Sequence, residues 1–102
     1  MNEGDNPFVK LGENEVCPNG TKISTVKRCQ EAAQWAGSLR LNPKRALRTG
    51  SWRSVPFQCS AQVKTDETLH FSNNNLTDNK RFTKGEFVMI CEKGSIILLN
   101  SP

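Results

Sequence analysis

Four cysteines and one histidine are the residues of this 102-residue chain best suited to covalent or metal chemistry. The cysteines are Cys17, Cys29, Cys59 and Cys91, even in number and widely spaced. No Cys-x-x-Cys pair occurs, which argues against a zinc ribbon and against a thioredoxin-like redox motif. His70 is the lone imidazole, so a Cys/His zinc site would need three scattered cysteines around it. Two structural disulfides are the favoured reading over free buried thiols or a metal. Four cysteines permit three pairings, and their spacing does not choose among them.

Catalytic arrangements find little support. A serine or cysteine nucleophile needs a histidine and an orienting acid. Asp66 and Glu67 lie near His70, but no Gly-x-Ser-x-Gly elbow appears. His70 therefore reads as a polar residue on the open face of a strand. Glu86 and Glu92 flank a predicted strand and stand too far apart to work easily as paired carboxylates. No Walker-type or Gly-x-Gly-x-x-Gly loop is present, so nucleotide binding has no motif behind it. Ser72-Asn73-Asn74-Asn75, with Asp78-Asn79 after it, lacks the spacing of a calcium loop and reads as a turn. The expectation is a noncatalytic protein with no metal and no cofactor.

Charge is more informative. From Ala32 to Thr65 there is no Asp or Glu, while Arg40, Lys44, Arg45, Arg48, Arg53 and Lys64 give the window a formal charge of +6. The whole chain carries +4. Six cations without an anion would make a positive surface if they folded onto one face. Arg holds sulfate, phosphate or carboxylate through two parallel hydrogen bonds, and Trp52 beside them could stack on a sugar ring. The competing readings are a solvated loop for the cations and core packing for Trp35 and Trp52.

The elements that must carry these residues follow from local pattern. Residues 1–7 read as a flexible lead, and residues 8–102 as one domain. Phe8, Val9 and Leu11 start a short strand, and Cys17-Pro18-Asn19-Gly20 is a turn. A helix is predicted over Thr25 to Ala36. Ser24 or Thr25 caps it, Val26, Cys29, Ala33 and Ala36 share a stripe, and Gly37 supplies a left-handed end. Pro43 starts a helical turn with Lys44 and Arg48 on one face, broken at Thr49-Gly50-Ser51. Strands are predicted at 58–64, 68–72 and 86–92, the last mostly apolar and so covered on both faces. A final strand is read at 95–99. The fold class is α+β, with one helix packed on a small, mostly antiparallel sheet.

Context comes from three further features. Asn19-Gly20-Thr21 and Asn75-Leu76-Thr77 fit the N-glycosylation pattern and agree with an oxidising compartment. Residues 1–10 lack the apolar stretch of a signal peptide. A mature secreted domain behind an added initiator Met accommodates this, and a cytosolic protein with reduced thiols is the alternative. Ile96-Ile97-Leu98-Leu99 falls far below the ~20 apolar residues of a membrane-spanning helix.

Several short pieces carry a resemblance. They are Cys17-Pro18-Asn19-Gly20, Cys29 followed by Glu31-Ala32-Ala33, Gly50-Ser51-Trp52, Val55-Pro56-Phe57-Gln58-Cys59-Ser60, His70-Phe71-Ser72-Asn73 and Ile90-Cys91. Over residues 16–93 their order resembles a small cysteine-containing extracellular module of predicted secreted proteins from unicellular marine eukaryotes. Gln58 stands where those modules often have Gly, and Ser72 where they often have Asn. The resemblance implies a disulfide-bonded extracellular domain, with Cys17 paired to Cys91 and Cys29 to Cys59. It supplies no catalytic residues.

The functional expectation is a secreted or cell-surface recognition module. It binds a glycan or anionic polymer through Arg40, Lys44, Arg45, Arg48, Trp52 and Arg53. The rival is a secreted protein-binding ligand, toxin or inhibitor that meets a cell-surface protein through loop 40–57 or 72–84. Nucleic acid is disfavoured, because +4 is mild and no nucleic-acid motif is present.

Overall fold

Alternation along four short strands puts two different surfaces on one sheet. A computed structural model describes residues 6–75 and 85–93. Its elements are β1 (Phe8–Lys10), α1 (Val26–Ala33), β2 (Arg48–Gly50), β3 (Gln58–Gln62), β4 (Leu69–Ser72) and β5 (Phe87–Glu92). The sheet order is β1-β5-β3-β4-β2. The β2–β4 pairing is parallel and the other three are antiparallel. This is the expected α+β class. The strand read at 95–99 and most of loop 72–84 lie outside the described residues.

One face of the sheet meets the helix. Phe8, Cys59, Ala61, Leu69, Phe71, Val88 and Ile90 pack there against Ile23, Cys29, Ala32, Ala36, Leu39 and Leu41. The registers pairing Cys59 with Phe71 and Ala61 with both Leu69 and Val88 keep these apolar side chains in phase. On the other face, Met89 and Cys91 pack with Cys17, Val9 and Leu11. β5 is thus covered on both sides, and Phe87 to Cys91 are all buried.

The two disulfides join Cys17 to Cys91 and Cys29 to Cys59, each with Cα atoms 5.7 Å apart. This is the pairing that the resemblance implied. Cys29 staples α1 to β3 through the core. Cys17 ties the segment before the helix to β5 on the opposite face.

The helix is shorter than expected. Thr25 is its N-cap, with its hydroxyl accepting from the Arg28 N–H at 3.2 Å. After Ala33 the N–H groups of Gln34, Trp35 and Ala36 donate to carbonyls three residues back, so the chain tightens into 3₁₀-like turns. The left-handed residue is Arg40, at φ 62°, and not Gly37. Arg40 N–H donates to Gly37 O at 3.1 Å and Leu41 N–H to Ala36 O at 2.8 Å, the two bonds of a Schellman end. The coil runs on past Gly37 because Leu39 and Leu41 are both buried in the core.

The helical turn expected after Pro43 does not form. Lys44 N–H donates to the Asn42 side chain at 2.9 Å, which closes a local turn. Arg48, expected on that turn, and Thr49-Gly50, expected to break it, instead form β2 along β4. Lys44 and Arg48 therefore do not share a helical face. Arg28 locks α1 to the sheet. Its Nε and one terminal nitrogen reach the two Glu92 oxygens at 2.7 Å each, and the other bonds Glu31 at 2.8 Å. The guanidinium carbon also lies 4.4 Å from the Phe8 ring centroid. Glu92, with Glu31, raises the Arg28 pKa above its ordinary value through these hydrogen bonds.

Candidate functional site: a polar cleft at the β2 edge

On the face away from the helix, β3 and β4 present polar side chains at alternate positions. Gln58 opposes Ser72, Ser60 opposes His70, and Gln62 opposes Phe87 of β5. β2 adds Arg48 directly across from His70. The loop after β2 folds over this end of the sheet with Val55 and Pro56 buried. The result is a cleft of about 150 Å³, whose walls include Arg48, Trp52, Ser54, Gln62, His70 and Glu86.

His70 sits at its base, only 6% exposed. The open-face position expected for it is wrong, because the 51–57 loop covers that face. The ring stands edge-on to Trp52 at 5.5 Å and to Phe87 at 5.6 Å. Nδ1 lies 3.1 Å from the Thr68 carbonyl, which can only accept, so Nδ1 carries the proton. Nε2 of the neutral ring is then a hydrogen-bond acceptor. Burial pushes the His70 pKa below its ordinary value, and the Arg48 charge acts in the same direction.

Trp52 is half-buried and held from several sides. Its backbone N–H donates to Ser72 Oγ at 3.3 Å, and that hydroxyl donates to Trp52 O at 3.2 Å. The indole also lies over Gly50, where a Cβ would come within 2.6 Å of it. Gln62 Nε2 donates to Glu86 at 3.4 Å, which orients the far wall. Ser60 Oγ, in the strand beside His70, is buried and has no hydrogen-bond partner among the described residues.

Of the six residues expected to bind ligand, this cleft gathers Arg48 and Trp52. Arg45 is engaged elsewhere. Its Nε donates to Thr68 Oγ1 at 2.9 Å, and a terminal nitrogen bonds Asp66 at 2.8 Å. Lys44 and Arg53 are exposed turn residues. Arg40 lines a groove beside β1, at the other edge of the sheet. The basic window does not form one continuous face. Gln62, His70, Glu86 and Phe87 belong to the cleft and were absent from the expected set. The alternation that puts Gln62 of β3 and His70 of β4 on one face was the available signal, but the aperiodic loop that covers them left no pattern to read.

Asn19 is exposed beside Gly20 in a turn, as a glycan acceptor requires, and Thr21 donates its hydroxyl to Pro18 O at 2.7 Å. Asn75 is also exposed, while Leu76 and Thr77 lie outside the described residues. Among the described residues, no three His, Cys, Asp or Glu side chains form a group able to hold a metal ion. No helix among them is long and apolar enough to cross a membrane. No family model, curated protein or solved structure matches the chain.

Proposed function

We propose that this protein is a noncatalytic, extracellular recognition domain that binds a glycan or other anionic polymer at the Arg48–Trp52 cleft. The observation that carries this reading is the convergence of a cation, an aromatic ring, a carboxylate and uncharged hydrogen-bonding groups in one polar cavity. Arg48 supplies the group that pairs with a carboxylate or sulfate. Trp52 offers an apolar surface for a sugar ring. The Gln62 amide, the Glu86 carboxylate and His70 Nε2 provide donors and acceptors for hydroxyls. The cavity suits a single ring or charged substituent, with the rest of the polymer lying outside. Two disulfides support the extracellular setting.

Intrinsic fluorescence titrated with polygalacturonate and with a neutral glucan oligomer tests the proposal. Binding of polygalacturonate that weakens with salt and falls about fivefold in Arg48→Ala supports it. No change in fluorescence or heat with either probe at low salt rejects it.

One observation favours the rival protein-binding reading. Phe57, at the end of the loop over the cleft, is 40% exposed. An exposed aromatic of this kind is a common anchor in protein interfaces. Binding through Phe57 would persist at high salt and be lost in Phe57→Ala.

A further inference from the structure

A second open groove lies at the far edge of the sheet, on the helix side of β1. Its volume is about 310 Å³, and its walls include Asn6, Phe8, Lys10, Leu39, Arg40 and Lys93. Among the described residues that line it, the three charged ones are all cations and none is a carboxylate. Lys10 comes from the end of β1, Lys93 follows β5, and Arg40 ends the coil after α1. None of the three has an ion-pair partner among the described residues. Glu92, the nearest acid in sequence to Lys93, is occupied on both oxygens by Arg28.

The groove is held in place by backbone. Lys93 N–H donates to Pro7 O at 2.8 Å, and Phe8 N–H donates to the Asn6 side chain at 2.9 Å. Arg40 occupies a left-handed position where glycine is the relaxed residue. An arginine there gains nothing for the Schellman end, whose two bonds use backbone atoms alone. Its guanidinium instead adds the third charge to the groove. Like charges lining one groove repel one another, and an entering oxyanion relieves that repulsion. The guanidinium offers two parallel donors, and each ammonium a compact point charge.

We infer that the Lys10–Arg40–Lys93 groove is a second anion site that takes a sulfate ester of a sulfated polysaccharide. Its position across the sheet from the Arg48–Trp52 cleft makes it separate from the proposed sugar site. It needs no residue of that cleft.

The test is a titration of the ¹⁵N-labelled protein with dextran sulfate, polygalacturonate and inorganic phosphate at two salt concentrations. Dextran sulfate is expected to shift the amides of Lys10, Arg40 and Lys93 and to bind more weakly at high salt. Lys10→Ala and Lys93→Ala should each reduce affinity about fivefold. Arg40→Gly is the sharper variant: it should lose affinity while melting at a higher temperature, because it relaxes the backbone. In Arg48→Ala the dextran sulfate shifts at Lys10, Arg40 and Lys93 should persist, whatever is lost at the cleft. Wild-type affinity in Arg40→Gly and Lys10→Ala, or loss of those three amide shifts in Arg48→Ala, would overturn the groove while leaving the cleft reading standing. Equal binding of polygalacturonate or inorganic phosphate at the groove would overturn the assignment to a sulfate ester.

Discussion

His70 is held as a neutral ring by its surroundings, and this ties stability to pH. Burial lowers its pKa from the ordinary value of 6.5, the Thr68 carbonyl opposes the shift, and Arg48 reinforces it against Asp66. The unfolded chain therefore takes up the proton more readily than the folded one. The His70 contribution is complete above 6.5 and is lost as pH falls through and below that value. Asp66 behaves separately. The Thr68 hydrogen bond, with Arg45 adding, lowers its pKa from 3.8, so its contribution survives to more acid conditions and fades below 3.8. Urea midpoints measured from pH 8 to pH 5 should decline in the wild type and stay flatter in His70→Gln. A wild-type midpoint that does not move over this range would exclude a neutral buried His70. Gln58 shows a different single-residue effect. Its φ of 73° is a conformation that glycine adopts without strain.

Among the elements, the short strand β2 and the loop after it decide whether the cleft exists. Trp52 packs directly on Gly50, and an added methyl group there would lie 2.6 Å from indole carbons. Gly50→Ala must push Trp52 off the strand. The expected cost is about 1–3 kcal/mol in chemical denaturation, together with an altered tryptophan emission maximum. Unchanged stability and emission would mean that Trp52 does not rest on Gly50. This element was also the hardest to foresee. Arg48-Thr49-Gly50 has no apolar alternation, since its place comes from backbone pairing with β4. β4 was legible because Leu69 and Phe71 alternate toward the helix, and β5 because its mostly apolar run marked a strand covered on both faces. The helix was legible through the stripe of Val26, Cys29, Ala33 and Ala36, but its end was not. Gly37 offered a local stop signal, and the burial of Leu39 and Leu41 farther along overrode it. The cleft was half legible for a related reason. Arg48 and Trp52 stand out by type, whereas His70 acquires its role only when a distant loop closes over it.

For the whole molecule, the two disulfides are the main reinforcement of a small core. The Cys29–Cys59 bond spans 30 residues and lies inside the 74-residue span of Cys17–Cys91. In the chain-entropy description, closing loops of such lengths gives about 4 kcal/mol each, and less where the native state is strained. That is a large share of the roughly 5–15 kcal/mol that holds a typical domain folded. Replacing Cys29 and Cys59 together with Ser should lower unfolding free energy by about 2–4 kcal/mol. Intact-mass measurement without reductant should show about four hydrogens fewer than the reduced chain. A mass equal to that of the reduced chain would contradict the covalent framework.

The nesting of one bridge inside the other also governs what a protease can achieve. A single backbone cut anywhere from residue 18 to residue 90 leaves two pieces still joined through Cys17 and Cys91. When the first cut lies outside the inner bridge, a second cut between Cys29 and Cys59 again releases nothing, because that bridge holds the new end. Between Cys17 and Cys91 a fragment is freed only by two cuts in the same stretch between cysteines, which release the short peptide between them, or by one cut before Cys29 and one after Cys59. The domain can therefore be nicked in its exposed turns and persist as one covalent body, a useful property in a protease-rich environment.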